Sequence, residues 1–399
     1  MRPGVRSALP DPGALARSVY RTAVRRGAVR ALETTGWFLL GRSDLRSPTT
    51  ACVTESFRYD GVETFDCQPP VGVQPLPGEF ETEVGTRTMP IPFVSVLRDV
   101  DLVGQWGLTV VPRQQYVVEE AEGSVGRLTD TVVRTVGQGH LPLPRGPSQA
   151  STTLSGPVAS FVGRFDVEFF HWFTDYLPRV LGLEAYERRT GKKPAVLLPP
   201  DPPAWLTDSL AWAGVEDKRW ITYPGGRVHV DELVVPSMRR HAYDDAFKGW
   251  SIVSPAALRE LRDRIRDVVG ATPSSDERVY VSRADSDSRR VSNEDMVLNA
   301  LRDRGFERHV LSEYSLAEQV ELFAGADAVV GPHGAGLVNT VYGDDLTVVE
   351  LFGDTVNPCY YSIVTGLGYD YSYLRCEPSG ADMRVDVDAL NELVAEVLD

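Results

Sequence analysis

Several stretches of the chain carry residue types whose spacing could do chemistry. In Val329–Asn339 two β-branched residues run into Gly331-Pro332-His333-Gly334-Ala335-Gly336-Leu337-Val338-Asn339. The pattern reads as a buried strand, a tight turn and the start of a helix. Glycines let a ligand approach the main chain, and amides at a helix N-terminus attract an anion such as phosphate. His333 stands where that anion would lie. A second stretch, Tyr280-Val281-Ser282-Arg283, ends a strand in a hydroxyl and a guanidinium, with Arg289 and Arg290 close behind. Open α/β sheets bind ligands at that end, and converging guanidiniums suit a pyrophosphate. The plain alternative is a solvated charged loop. Glu350, inside Val348-Val349-Glu350-Leu351-Phe352, comes one strand after the glycine turn. It is placed either for ribose hydroxyls or for a strand-end solvent contact.

His171 and Asp175 are four residues apart among Phe169, Phe170, Trp172 and Tyr176. On a helix that spacing puts both side chains on one face. An aspartate there can orient or charge the histidine for general-base work, whereas a histidine alone among aromatics reads as a core residue. Asp-x-Asp triplets occur at Asp99–Asp101, Asp285–Asp287 and Asp386–Asp388. An acidic chain produces them by chance, and no metal is invoked.

These residues need strands and helices to hold them. An Arg-rich helix is expected from about Ala14 to Leu32, with Arg17, Arg21 and Arg25 on one face. It could rest on anionic lipid or on acidic protein surface. Residues 46–150 read as short strands and turns, including Gln115–Glu119 and Thr131–Val136, and Gly137–Ser155 reads as a loop. From Phe169 onward strands and helices alternate, the signature of α/β architecture. Phe169–Tyr186 is an aromatic-faced helix that Pro178 should kink or interrupt. Ala195–Leu198 and Val228–Val235 are strands, Pro203–Ala213 is a helix, and Ser254-Pro255 caps another. Further on, Arg278–Ser282, Ala328–Val330 and Thr347–Phe352 are strands. Ser292-x-x-Asp295 and Ser315-x-x-Glu318 cap helices, and Asp388–Leu398 forms the last one. The second half therefore reads as a nucleotide-binding domain and the first as its larger partner.

Bulk composition narrows the partners. A formal charge of -15 argues against nucleic-acid binding through a broad basic surface. The lysines are only Lys192, Lys193, Lys218 and Lys248, against a large excess of arginines. That composition fits a high-salt cytoplasm or a GC-rich genome, and it leans to the first. Cys52, Cys67, Cys359 and Cys376 lack metal-site spacing and suit free thiols in a reducing compartment. No apolar run reaches the roughly 18 residues of a membrane span. A cytoplasmic location is expected, with peripheral contact to the inner face of the membrane through residues 14–32.

Taken together, Phe169-Phe170-His171-Trp172 with Leu177-Pro178-Arg179, Tyr280–Arg283 with Arg290 and Asn293-Glu294, and the Gly331–Asn339 turn resemble glycosyltransferase family 61. The resemblance covers roughly residues 155–375. It implies a GT-B fold: two Rossmann-like domains facing across a cleft, here with a β-rich N-terminal extension. The divisions would be a basic segment 1–45, an acceptor-side domain 46–255 and a nucleotide-sugar domain 256–399. It also implies inverting transfer from a nucleotide-diphosphate sugar to a hydroxyl of a glycan or lipid-linked glycan, without an obligatory metal. By the same carry-over, Ser282, Arg283 and Arg290 would contact the nucleotide diphosphate, with Arg289 joining them by its place in the sequence. His333, Gly334, Ala335, Gly336 and Asn339 would lie beside the donor, and His171, with Asp175 as helper or substitute, would be the base.

Other classes fit less well. An esterase could use a His-Gly-x-Gly oxyanion loop but needs a G-x-S-x-G elbow, which the chain lacks. A dinucleotide dehydrogenase would need G-x-G-x-x-G after a strand, also missing. A non-catalytic sugar-nucleotide-binding or scaffold subunit of a polysaccharide assembly stays open.

Overall fold

The computed structural model describes residues 27, 38–47, 50–71, 78–81, 83–118, 120, 128, 131–135, 150, 152–242, 251–273 and 277–398. The expected helix at 14–32, with its membrane contact, and most of the 137–155 loop lie outside these residues. Among the described residues no helix is long and apolar enough to cross a membrane.

Two sheets organise the chain. The larger is mixed and nine-stranded. Its central strands are Phe93–Val103 and the antiparallel Arg227–Pro236, which continues into the parallel strands Thr152–Ser160, Ala195–Leu198 and Trp220–Thr222. The second sheet is all parallel. We label its strands β1 (Glu277–Val281), β2 (Phe306–His309), β3 (Ala326–Pro332), β4 (Thr347–Phe352) and β5 (Asp370–Arg375). Their spatial order is 2-1-3-4-5, so the chain reverses direction across the sheet between β1 and β3. A crevice opens beyond the carboxyl ends of the strands at such a reversal, where α/β proteins bind ligands.

A shared core joins the sheets. One buried cluster runs from Val94 and Phe161 through Trp172 and Leu258 to Val281 and Val329. The chain also crosses over early. Phe80 is buried against Phe352, Tyr361 and Tyr373, and Val71 exchanges hydrogen bonds with Tyr371 and Ser372 of the edge strand β5.

Local chemistry explains where expectation and structure part. Thr131–Thr135 is helical, not a strand. Thr131, Val132 and Thr135 are buried while Val133 and Arg134 are exposed, a helical period set by packing of Val132 against Val103, Leu108 and Val117. Thr152–Ser155 belongs to a strand rather than a loop, because Gly156 (φ +83°) forms a bulge that absorbs the Gly-Pro step. Ser292 is not a cap. Asn293 occupies the N-cap of Glu294–Arg302, and its side chain instead exchanges two hydrogen bonds with Val385. Ser315 and Glu318 do form their capping box, and Ser254 caps Pro255–Val269 by accepting from Ala257.

Candidate functional site

Pro178 shapes the first wall of the site. Lacking an N–H, it cannot bond the carbonyl of Thr174, and its ring crowds that turn. The chain responds with a π turn over Trp172–Tyr176, closed by Leu177 N–H to the Trp172 carbonyl at 2.8 Å, and Arg179–Thr190 starts a new helix. Such turns are frequent at functional sites. His171 Nδ1 lies 2.9 Å from Asp175 Oδ2, and Asp175 is fully buried. Arg240 Nη1 donates to both Asp175 oxygens, at 2.8 and 2.9 Å. Asp175 is thus committed as an orienting anion, and the imidazole is the group presented outward. Arg240 opens the short strand Arg240–Ala242 beside another arginine, and in so arginine-rich a chain nothing in sequence marks it out.

The facing wall is the β1/β3 reversal. His333 extends β3, its N–H donating to the Leu351 carbonyl at 2.9 Å. Its Nδ1 lies 2.5 Å from Glu350 Oε1, and Tyr371 donates its hydroxyl to Glu350 Oε2 at 2.6 Å. Burial, then the Glu350 charge, holds the Tyr371 phenol far above its usual range, so it stays a donor. Glu350, expected at ribose hydroxyls, is fully buried with both oxygens engaged. In this arrangement it serves His333. Tyr371, two strands from the glycine turn, carried no sequence signal.

Arg283 lies over Gly334 so closely that a Cβ there would come within 2.0 Å of the guanidinium. Gly334 has extended backbone (φ -175°), so this residue is small for the sake of Arg283 and not for its own conformation. Arg283 donates to the Ser288 carbonyl and to Ser286 Oγ, and it has no carboxylate ion pair among the described residues. Burial and then the neighbouring Arg289 guanidinium hold its pKa below the usual arginine range, against the opposing charge of Asp285. Tyr360 closes the corner by donating to the Gly334 carbonyl at 2.7 Å.

Other expected donor contacts are occupied elsewhere. Arg290 pairs with Asp382, so only Arg283 and Arg289 of the arginine set interact. Ser282 is buried, its hydroxyl donating to Glu294 at 2.7 Å and accepting from Ala284 N–H. Asn339 is fully buried and donates to Gln319, which in turn holds the Leu311 and Tyr314 carbonyls. The turn opens a 3₁₀ helix, Ala335–Tyr342, rather than an α-helix. Ala335 is exposed, and Gly336 is kept small by Leu311, whose Cδ1 a Cβ would meet at 2.7 Å.

The two walls touch. Phe170 packs edge-on against Tyr360 at 5.3 Å, and Tyr360 against His333 at 5.4 Å. Two histidines, each backed by a buried carboxylate, therefore stand on touching walls, with Arg283 over the turn that carries the second.

Comparison with protein families gives a match to Glycosyltransferase 61 over residues 169–349. The chain carries a glycosyltransferase family 61 domain. The matched span contains His171, Asp175, Arg283, Arg289 and the His333 turn, and it ends one residue before Glu350. No curated protein matches the chain. The family 61 match supports a transferase, and the matched His171, Arg283 and His333 stand on the two touching walls.

Proposed function

We propose that the chain is an inverting glycosyltransferase that moves a sugar from a nucleotide diphosphate to a glycan or lipid-linked glycan hydroxyl. The observation that carries this reading is the pair Arg283 and Arg289 at the β1/β3 reversal, unpaired with carboxylates among the described residues and beside a turn kept open by Gly334. The diphosphate would lie against these guanidiniums and the His333 turn. A departing diphosphate develops charge, and preorganised guanidinium donors stabilise it without an obligatory divalent metal.

His171, oriented by Asp175 and Arg240, takes the acceptor hydroxyl's proton as its oxygen attacks the anomeric carbon. The bond from that carbon to the β-phosphate oxygen breaks with its electron pair staying on the diphosphate. His333, held by Glu350, donates a hydrogen bond to that oxygen. In this reading the two sheets are the halves of a GT-B arrangement, with residues 46–255 on the acceptor side and 256–399 holding the donor. A lipid-linked acceptor at the inner face of the membrane suits the basic segment 14–32.

The test is a panel of UDP-, GDP- and dTDP-sugars with glycan extracts, following release of the nucleoside diphosphate. Release that disappears in His171→Ala and Arg283→Ala supports the reading. Tight donor binding without turnover across the panel would leave a sugar-nucleotide-binding subunit in its place.

A further inference from the structure

The segment Gly163–Glu168, which leads into the His171 helix, is built around a buried carboxyl. Asp166 is only 6% exposed, and its Oδ2 accepts the Gly163 N–H at 3.0 Å. Gly163 itself is pressed onto the π turn, where a Cβ would come within 2.1 Å of the Tyr176 hydroxyl. Glu168 N–H donates to the Phe165 carbonyl at 3.1 Å, and Trp172 N–H to the Glu168 carbonyl at 2.8 Å, so the turn feeds directly into the helix. The ring this turn projects, Phe165, lies 4.7 Å from the His171 imidazole with the planes 39° apart. Arg164 covers the Phe165 ring at 4.7 Å.

A hydrogen bond from Nδ1 to Asp175 fixes one point of the imidazole but leaves it free to swing about that contact. Phe165 against the ring, and Phe170 edge-on at 5.2 Å, remove the swing. We propose that Asp166 is a positioning residue: it closes the Gly163–Asp166 turn and thereby holds Phe165 against His171. The assignment rests on His171 being the base. Burial pushes the Asp166 carboxyl up to about 6, a cost that a surface turn would not carry.

The test reads the imidazole itself. The chain has six histidines, so selective isotope labelling resolves them, and His171→Gln assigns the signal. Stacking under Phe165 shifts the His171 ring-proton resonances by its ring current. Asp166→Ala should move them to the unstacked position, and Asp166→Asn, which keeps an oxygen for the Gly163 N–H, should leave them in place. Phe165→Leu should reproduce the Asp166→Ala displacement, and the double variant should add nothing, because both act through one contact. In turnover assays Asp166→Ala and Phe165→Leu should each lower kcat about tenfold with donor KM unchanged, the scale of one aromatic contact. Should Asp166→Ala fail to fold, Phe165→Leu with the turn intact still decides. A wild-type His171 signal in Phe165→Leu, or additive effects in the double variant, overturns the proposal. Displaced signals in a protein that turns over no donor would instead count against the base role of His171 and leave the Asp166 contact standing.

Discussion

Glu350→Gln isolates the charge behind His333. Glutamine fills the same buried space, its carbonyl can accept from His333 Nδ1, and its amide can donate to the Tyr371 hydroxyl. The contacts now at 2.5 and 2.6 Å therefore keep partners while the charge is lost. Two unit charges about 4 Å apart interact by about 4 kcal/mol at an effective dielectric of about 20. A neutral amide retains part of that through its hydrogen bond, typically about 1 kcal/mol. If His333 acts as a cationic donor to the departing diphosphate, the net loss of about 2–3 kcal/mol lowers kcat about a hundredfold. Folding should weaken by about 1–3 kcal/mol, because the buried Tyr371 O–H loses its carboxylate acceptor. The assay is release of nucleoside diphosphate at saturating donor, with thermal unfolding in parallel. A kcat within threefold of wild type would refute the role given to the Glu350 charge. So would an activity loss that merely follows the fraction unfolded.

Further outcomes follow from the same geometry. Arg283→Ala should weaken nucleoside-diphosphate binding about ten- to a hundredfold, the worth of a charge-assisted hydrogen bond, read by calorimetry. Gly334→Ala should weaken it too without lowering Tm, because the methyl displaces the Arg283 guanidinium while the extended backbone accepts alanine. Arg240→Met should destabilise the fold by about 3–5 kcal/mol in urea titrations, since it removes the guanidinium bridging both oxygens of the buried Asp175. Asp166, raised from 3.8 to about 6, is held protonated more firmly in the folded than in the unfolded chain. Its contribution is therefore complete below pH ~4 and lost as pH rises to ~6, by about 3 kcal/mol at most. Asp166→Asn should flatten that part of the Tm–pH curve and be the more stable protein at pH 7.

The sequence by itself determined the elements and the anchors of the site. Periodicity and capping residues placed the strands of the second sheet, and Ser254 and Ser315 capped their helices, because those signals act within a few residues of chain. The i, i+4 spacing of His171 and Asp175 was enough to predict their contact for the same reason. Tertiary structure alone decided what each polar group faces. Glu350, Asn339, Ser282 and Arg290 have types suited to a ligand, but their partners Tyr371, Gln319, Glu294 and Asp382 come from other elements. Arg240, Tyr360 and Asp166 were silent in sequence because their roles depend on burial and on neighbours brought in by the fold. The order 2-1-3-4-5 is likewise a property of the assembled sheet, and it sets Arg283 against Gly334. Local physics writes helices and caps into a sequence, whereas the satisfaction of a buried charge is settled only when distant strands pack.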